Sequence, residues 1–403
     1  MTDLALRATA PATMQEHVSP GALRRSLVIG LIGFLTLVDL FATQAILPAL
    51  ARHFGVSPSQ IGVAANASTI GMAIAGLLVG ALGQRLNRRF GVWFSLALLS
   101  IPTTLLASAS TLAIFALLRV VQGLCMASAF TLTLAYLGER CSKADAAGAL
   151  AAYVTGGVAS NLIGRLCAAT VASVAGPEAT FYFFAILNLA GAALAYVTLT
   201  GVRPMQAMAE PGRHLWSACA DHLRDPKLQR AFAIGFLILF GFIGTFTYIG
   251  FVLAAPPLAL SMMATGLVFF VFLPSMITTP LAGRVVTRFG AQRVLPLALL
   301  VALGGLALLV LPNLPAVILG LVLVGVGTFF GQAVATGYVG RRARSDRAAA
   351  SGLYLSFYYS GGLAGAALVG QLFDRAGWNA AVAGVAAALA FAAWLGRGLS
   401  EEE

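Results

Sequence analysis

Charge is what this chain has least of. Only 10% of its 403 residues are charged and only 14 are acidic, where an ordinary soluble domain has about 25% charged residues. Histidine and cysteine are equally scarce, at four each, while 59% of the chain is hydrophobic and mean hydropathy is +0.90. A chain so poor in polar side chains cannot cover itself with a wettable surface, so lipid is its solvent. No His falls in an apolar run, and no carboxylate pair or metal-ligand cluster exists. That excludes a hydrolytic or metal-dependent enzyme centre, and no metal or cofactor is expected. Cys125 and Cys167 lie in apolar runs, Cys141 and Cys219 in basic loops, none at ligand spacing, so free thiols are predicted. Residues 1–26 form a polar tail (Arg7, Glu16, His17, Arg24, Arg25) rather than a cleavable signal, because the apolar run that follows is long enough to span.

Apolar runs of bilayer length are what the chain does have. They fall at 27–50, 59–83, 91–110, 111–137, 147–173, 179–200, 229–254, 264–285, 293–311, 315–338, 347–370 and 377–397. The prediction is an all-α integral membrane protein with twelve transmembrane helices in two pseudo-symmetric six-helix bundles. Residues 1–26 are a cytoplasmic tail, 27–200 the first bundle, 201–228 a linker, 229–397 the second bundle and 398–403 an acidic tail. The net charge of +11 does not imply nucleic acid, because the basic residues sit in short breaks between spans. Arg85, Arg88, Arg89, Arg140, Lys143, Arg203, Arg213, Arg224, Lys227, Arg230, Arg284, Arg288, Arg293, Arg341, Arg342, Arg344 and Arg347 share one side. The other side holds only Arg52 and Arg375. The positive-inside rule places the rich side and both termini in the cytoplasm, so the expected location is the bacterial inner membrane. In the linker, Leu215, Trp216, Cys219 and Leu223 recur at helical spacing against Arg213, Asp221, His222 and Arg224, as in a helix lying on the membrane surface. His214 and His222 there read as solvated loop histidines.

The two halves repeat each other. Gly80-Ala-Leu-Gly-Gln-Arg85 with Arg88 and Arg89 recurs as Gly283-Arg-Val-Val-Thr-Arg288 with Gly290. Tyr153-Val-Thr-Gly-Gly157 recurs as Tyr358-Tyr-Ser-Gly-Gly362, and Tyr136-Leu-Gly138 as Tyr338-Val-Gly340. The offsets all lie between 202 and 205 residues. Two homologous bundles with a path between them is the layout of a rocking transporter.

These repeated loops carry a resemblance. The loop after span two resembles the signature of the major facilitator superfamily, with Gln84 at its acidic position and Asn87 at its second glycine. Arg119-Val-Val-Gln-Gly123 resembles the superfamily's arginine and glutamine-glycine motif in span four. The Gly-Pro antiporter signature of span five is missing; Gly156-Gly157, Ser160, Asn161 and Gly164-Arg165 stand there. A closer resemblance, to the acriflavine-sensitivity (YnfM-like) branch, rests on Phe246-Thr-Tyr-Ile-Gly250, Tyr338-Val-Gly-Arg341, Leu353-Tyr354-Leu355, Tyr358-Tyr359 and Gly377-Trp378-Asn379. It implies proton-coupled transport of drugs or other small solutes. That branch also contains copper importers, but the paired Met and His-Met motifs around spans seven and eight are missing here: no Met lies between Met208 and Met262.

Charges inside hydrocarbon are costly and point to function. Asp39 is the only carboxylate within a span, and Arg119 and Arg165 join it. At 1.5 Å per residue Asp39 lies about 16 Å and Arg165 about 13 Å from the outer ends of their spans, and Arg119 about 12 Å into span four. All three can share one layer. Asp39 is the candidate proton carrier, since a carboxyl exposed alternately to two sides can take a proton on one and release it on the other. Arg119 is its candidate counter-ion; a static Asp39–Arg119 pair is the structural alternative. Arg165 is surplus: it can grip an anionic substrate, share Asp39, or snorkel to the interface. Gln122, Asn161, Thr245, Tyr248, Gln332, Tyr354 and Tyr358 are further candidates for substrate contact, with Phe246 and Tyr359 as aromatic surface, and buried packing is the competing reading of each. Gly80, Arg85, Arg88, Arg89, Gly283 and Arg288 are candidate cytoplasmic gate residues or simple topology determinants. The expected function is proton-linked movement of a small organic solute by a monomer, with export the expected direction. The alternatives are import of an anionic or zwitterionic metabolite, import of copper, and a non-transporting receptor.

Overall fold

A computed structural model describes residues 20–82, 87–140, 143–199, 215–343 and 347–399. Arg85 and Gln84, Cys141, His214 with residues 200–213 of the linker, and both tails (1–19 and 400–403) lie outside the described residues. Every regular element among those described is helical.

The spans that the hydropathy runs predict appear, several of them broken. Span one is α1 (Pro20–Leu37), a 3-10 turn (Ala42–Ile46) and α2 (Leu47–Phe54), its two arms bent by 50°. Span two is α3 (Pro58–Asn66) and α4 (Ser68–Leu82). Spans three to six are α5 (Arg88–Leu106), α6 (Leu112–Arg140), α7 (Lys143–Ala175) and α8 (Pro177–Thr198). The short α9 (Leu215–Arg224) precedes α10 (Pro226–Ala254), which is span seven. Span eight combines α11 (Met262–Val268), α12 (Leu273–Thr278) and α13 (Ala282–Phe289) with 3-10 turns between them; α14 (Ala291–Leu308) and α15 (Leu314–Arg342) are spans nine and ten. The last helix, α16 (Arg347–Gly396), runs for 50 residues. At 1.5 Å per residue that is about 75 Å, more than twice the hydrocarbon thickness. Gly377, at φ 78° and ψ −174°, folds it back on itself, a turn that a side chain would strain. Spans eleven and twelve are its two arms, which brings the total to twelve.

Helix starts are capped where the sequence offers a short polar side chain. Asn87 accepts from Phe90 N at 3.3 Å, Asp225 from Lys227 N at 2.8 Å and Asn313 from Ala316 N at 2.9 Å. Ser57 and Gln60 close a reciprocal capping box on α3, satisfying two amides that would otherwise face lipid or loop unpaired.

The two halves pack alike. Span one lies on span five as span seven lies on span eleven; span three lies on span six as span nine lies on span twelve. One apolar core fills the second half and continues into the first through Ala42, Ile46, Phe115 and Phe181. A separate core, with Ile32, Met72, Leu96, Leu132 and Ala195, fills the rest of the first half. Among the described residues, Phe41 and Tyr359 flank both. The halves are therefore fused toward the face that carries Arg52 and Asp374, here the far face. Toward the basic face, where Arg89, Arg288 and Arg342 lie, spans two and eleven stay in contact: Ser356 Oγ donates to Ala73 O at 2.8 Å and Gly76 lies against Gly352.

Candidate functional site

Asp39 occupies the break in span one, in a turn over residues 38–41. No Gly or Pro lies between 38 and 46, and Pro48 in the first turn of α2 leaves Gln44 O without its helix amide. Arg119, which is 2% exposed, takes the other carbonyls of the break. Nη2 donates to Leu40 O at 2.8 Å and Ser68 Oγ at 3.1 Å, Nε to Ala65 O at 2.7 Å, and Nη1 to Gln122 Oε1 at 2.6 Å and Asp39 O at 3.5 Å. All five donors of the guanidinium are used. Leu40 O and Asp39 O are carbonyls released by the break in span one, and Ala65 O lies beside the break in span two. One cation thus replaces the missing helix amides of two spans, at the electronegative ends where a cation is favoured.

Gly123 lets Arg119 come so close. A Cβ there would run into the backbone of Ser68, and one on Gly71 into that of Val120. Span four therefore touches span two backbone to backbone, which only small residues permit.

Gln122 mediates between the two charges. Its Oε1 accepts from Arg119 and its Nε2 donates to Asp39 Oδ2 at 3.2 Å and Thr103 Oγ1 at 2.7 Å. Asn188 Nδ2 donates to the same two oxygens, at 3.2 Å and 3.1 Å. The Thr103 hydroxyl has one proton and two acceptors in reach, Leu99 O at 2.7 Å and Asp39 Oδ2 at 3.3 Å, so the shorter bond takes it. Asp39 Oδ2 is thus held by neutral amides, whereas Asp39 Oδ1, equally buried, has no partner. Among the described residues no ion pair within 4 Å joins Asp39 to Arg119. An amide bridge stands where the static Asp39–Arg119 ion pair would be, because the guanidinium is spent on backbone carbonyls.

Arg165 stands apart from Asp39 and does not snorkel; its exposure is 0%. It bonds Asn161 O at 2.7 Å, Asn161 Oδ1 at 3.3 Å and Gln44 Oε1, leaving Nε unpartnered. Its guanidinium lies 5.2 Å from the ring centre of Phe41 and 4.8 Å from those of Phe269 and Phe272. Three ring faces and neutral oxygens solvate a buried cation that has no carboxylate. Gln44 carries the network across the seam: its Nε2 donates to Thr247 Oγ1 at 3.2 Å, as does Asn66 Nδ2 at 3.0 Å.

The remaining candidates divide by location. Tyr358 packs between Tyr354 and Tyr359, and the buried hydroxyl of Thr245 has no partner. Gln332 is half-buried on α15. Tyr248 departs from a substrate-facing role: its hydroxyl donates to Ala366 O and its ring lies on Phe373, wedged against Gly62 and Gly370. Of the gate candidates, Gly80 lies in α4 and Arg88 opens α5. Arg89 Nη2 donates to Tyr196 O at 2.8 Å, and Arg288 lies over Phe289. Gly283 has open space where a Cβ would be. Thr103, Asn188, Gln44, Asn66, Thr247 and the Arg165 rings are site residues that a search for charge passes over.

The model of the Major Facilitator Superfamily matches residues 29–273 and 251–402. The chain belongs to that superfamily. It is 28% identical over 386 residues to the inner membrane transport protein YnfM of Escherichia coli, covering 96% of this chain and 93% of the relative. It is also 28% identical over 364 residues to an uncharacterized transporter of the superfamily, YybF of Bacillus subtilis, covering 90% of each. Among solved structures, that of a nucleoside transporter covers 94% of this chain and 100% of its own at a TM-score of 0.74 and 16% identity, which establishes likeness of fold. This superfamily member is a multi-pass membrane transporter, not an enzyme.

Proposed function

We propose that the chain is a proton-coupled secondary transporter that moves a small organic solute across the inner membrane by alternating access, in the export direction. The observation that carries this reading is Asp39: a carboxyl buried in a broken span, with one oxygen held by amides and the other free to accept a proton. Coupling needs a group that can be loaded and unloaded without dismantling the bundle. Arg119 supports that role, since it holds the breaks in spans one and two through carbonyls and leaves the carboxyl its freedom. The basic face is cytoplasmic in this reading, by the excess of arginine there.

Arg165 favours an anionic or zwitterionic solute. Its charge has no carboxylate partner, and the rings that box it come from both halves, so parting the far face would uncover a guanidinium whose Nε is unpartnered and whose Nη bonds go only to neutral oxygens that an anion can replace. The test is a proteoliposome assay with an imposed pH gradient and a panel of carboxylate, zwitterionic, neutral and cationic solutes. Gradient-driven movement of at least one solute supports the reading. Solutes that bind and stabilise the protein yet never move would leave a receptor instead.

A further inference from the structure

Gln44 stands where the two halves meet. It lies 203 residues before Thr247, its bonding partner in span seven, an interval that falls within the repeat offset of the two halves. The pair therefore sits on the axis between the bundles, where transporters built from repeats hold their solutes. Gln44 Oε1 accepts from Arg165 Nη2, and its Nε2 donates to Thr247 Oγ1 at 3.2 Å and Asn66 Oδ1 at 3.5 Å. All four side chains are buried. The walls around them differ by half. The first half supplies the polar groups Arg165, Gln44 and Asn66. The second half supplies rings: Phe269 and Phe272 lie on the guanidinium. The ring centre of Phe272 is in turn 4.7 Å from that of Phe246 and 5.9 Å from those of Phe242 and Phe329. Phe269 occupies the repeat position of Asn66, so one place in the fold is polar in the first half and aromatic in the second. Among the described residues no acid lies within 4 Å of Arg165, and Arg119 is committed to the breaks in spans one and two.

We propose that this seat takes the carboxylate of an aromatic monocarboxylic acid, and that the Gln44 carboxamide fills it as the chain's own substitute while the halves are packed together. The proposal rests on Arg165 as the residue that grips an anionic solute. A carboxamide and a carboxylate share one planar shape, and either sets an oxygen on the guanidinium; the carboxylate adds its charge to that bond. Gln44 Nε2 now donates to Thr247 Oγ1. A carboxylate oxygen in its place accepts instead, because a threonine hydroxyl turns its proton to suit. One guanidinium neutralises one charge, so a dianion would carry an unpaired charge into a buried site. The ring of the acid packs on the phenyl wall of the second half, offset or edge-on as aromatic pairs prefer. Filling the seat from within keeps a buried guanidinium bonded, so the halves close on the seat with solute or without it.

The test is a binding titration on full-length protein in lipid nanodiscs. The probes are benzoate, 2-naphthoate and indole-3-acetate, with acetate, benzamide and phenyl phosphate as controls. The wild type is expected to bind at least one of the three acids roughly tenfold more tightly than any control. Gln44→Ala removes the substitute and should bind that acid about tenfold more tightly still, since nothing has to be displaced. Gln44→Glu makes the substitute a carboxylate paired with Arg165; it should melt higher than the wild type and no longer bind the acid. Equal or weaker binding by the alanine variant would overturn the inference and leave Arg165 as an anion grip with Gln44 as an ordinary contact. Acetate or phenyl phosphate binding as tightly as the acid would overturn the solute class. Benzamide binding as tightly as benzoate would instead overturn the reading of Arg165. Failure of all three acids to bind either the wild type or the alanine variant would also overturn the inference, and other anions in the gradient assay would still decide the reading of Arg165. Should the alanine variant not fold, the glutamate variant carries the test, and wild-type affinity for the acid in it would overturn the seat.

Discussion

Gln122 joins the Asp39 carboxyl to Arg119 in place of a direct ion pair: its carbonyl oxygen accepts from the guanidinium at 2.6 Å and its amide donates to the carboxyl at 3.2 Å. A direct ion pair would bind the carboxylate so firmly that removing either partner leaves a bare buried charge. An amide bridge keeps the arginine satisfied in either protonation state of the acid. Gln122→Leu, close in size, should strand Arg119 Nη1 and one acceptor site of Asp39. The expected cost is about 1–3 kcal/mol per stranded group, seen as a lower melting temperature in detergent. An unchanged melting temperature would remove Gln122 from the bridge.

The Gly123 contact predicts a sharp contrast between two glycines. Gly123→Ala places a Cβ against Ser68 backbone and should cost about 1–3 kcal/mol. Gly283→Ala meets open space and should be neutral or stabilising by up to ~1 kcal/mol, the helix preference of alanine. Thermal unfolding of the two variants side by side checks this, and equal melting temperatures would contradict the close approach of spans two and four.

The spans were legible in the sequence because bilayer thickness sets run length, and the three intramembrane charges were legible because each interrupts such a run. Their pairing was not. The local signal for the break in span one is Pro48, nine residues past Asp39; Val38, Leu40 and Phe41 surround the acid without Gly or Pro, and a guanidinium from span four takes the carbonyls freed there. Neutral polar residues were hidden for a different reason. Thr and Asn in an apolar helix usually bond their own turn, as Thr36 does to Ile32 O at 2.7 Å, so Thr103 and Asn188 look no different in sequence from packing residues. Tyr248 shows the converse, a prominent tyrosine whose hydroxyl serves only to bind a neighbouring span.

At the far face Asp374, from span eleven, caps the start of span two. Its Oδ2 accepts from Ser57 Oγ at 2.7 Å, and both oxygens lie 3.3 Å from Ser59 N. A carboxylate at a helix N-terminus contributes about 1 kcal/mol, here across the seam between the halves. Asp374→Ala should therefore raise the open population at that face roughly fivefold. The readout is labelling by an impermeant thiol reagent of Gly250→Cys, a seam position beside Gln44 O, with the native cysteines replaced by serine. An unchanged labelling rate would show that Asp374 does not hold the face shut.

Arg165→Lys keeps the charge and loses the planar fork and its ring stacking. An anionic solute should bind about tenfold more weakly, as expected for loss of one charge-assisted bond, while a neutral or cationic solute should be nearly unaffected. Titration of both kinds of solute against the variant decides the point. A transported cation whose affinity is untouched would make Arg165 a structural residue of the seam.

Asp39→Asn is the most direct probe of the central claim, because the amide fits the same bonds and cannot carry a proton. In proteoliposomes, transport of a solute is compared with and without an imposed pH gradient, alongside solute exchange at equal pH. The variant should fold, bind and exchange solute, and lose all response to the gradient. Undiminished gradient-driven transport by Asp39→Asn would contradict it.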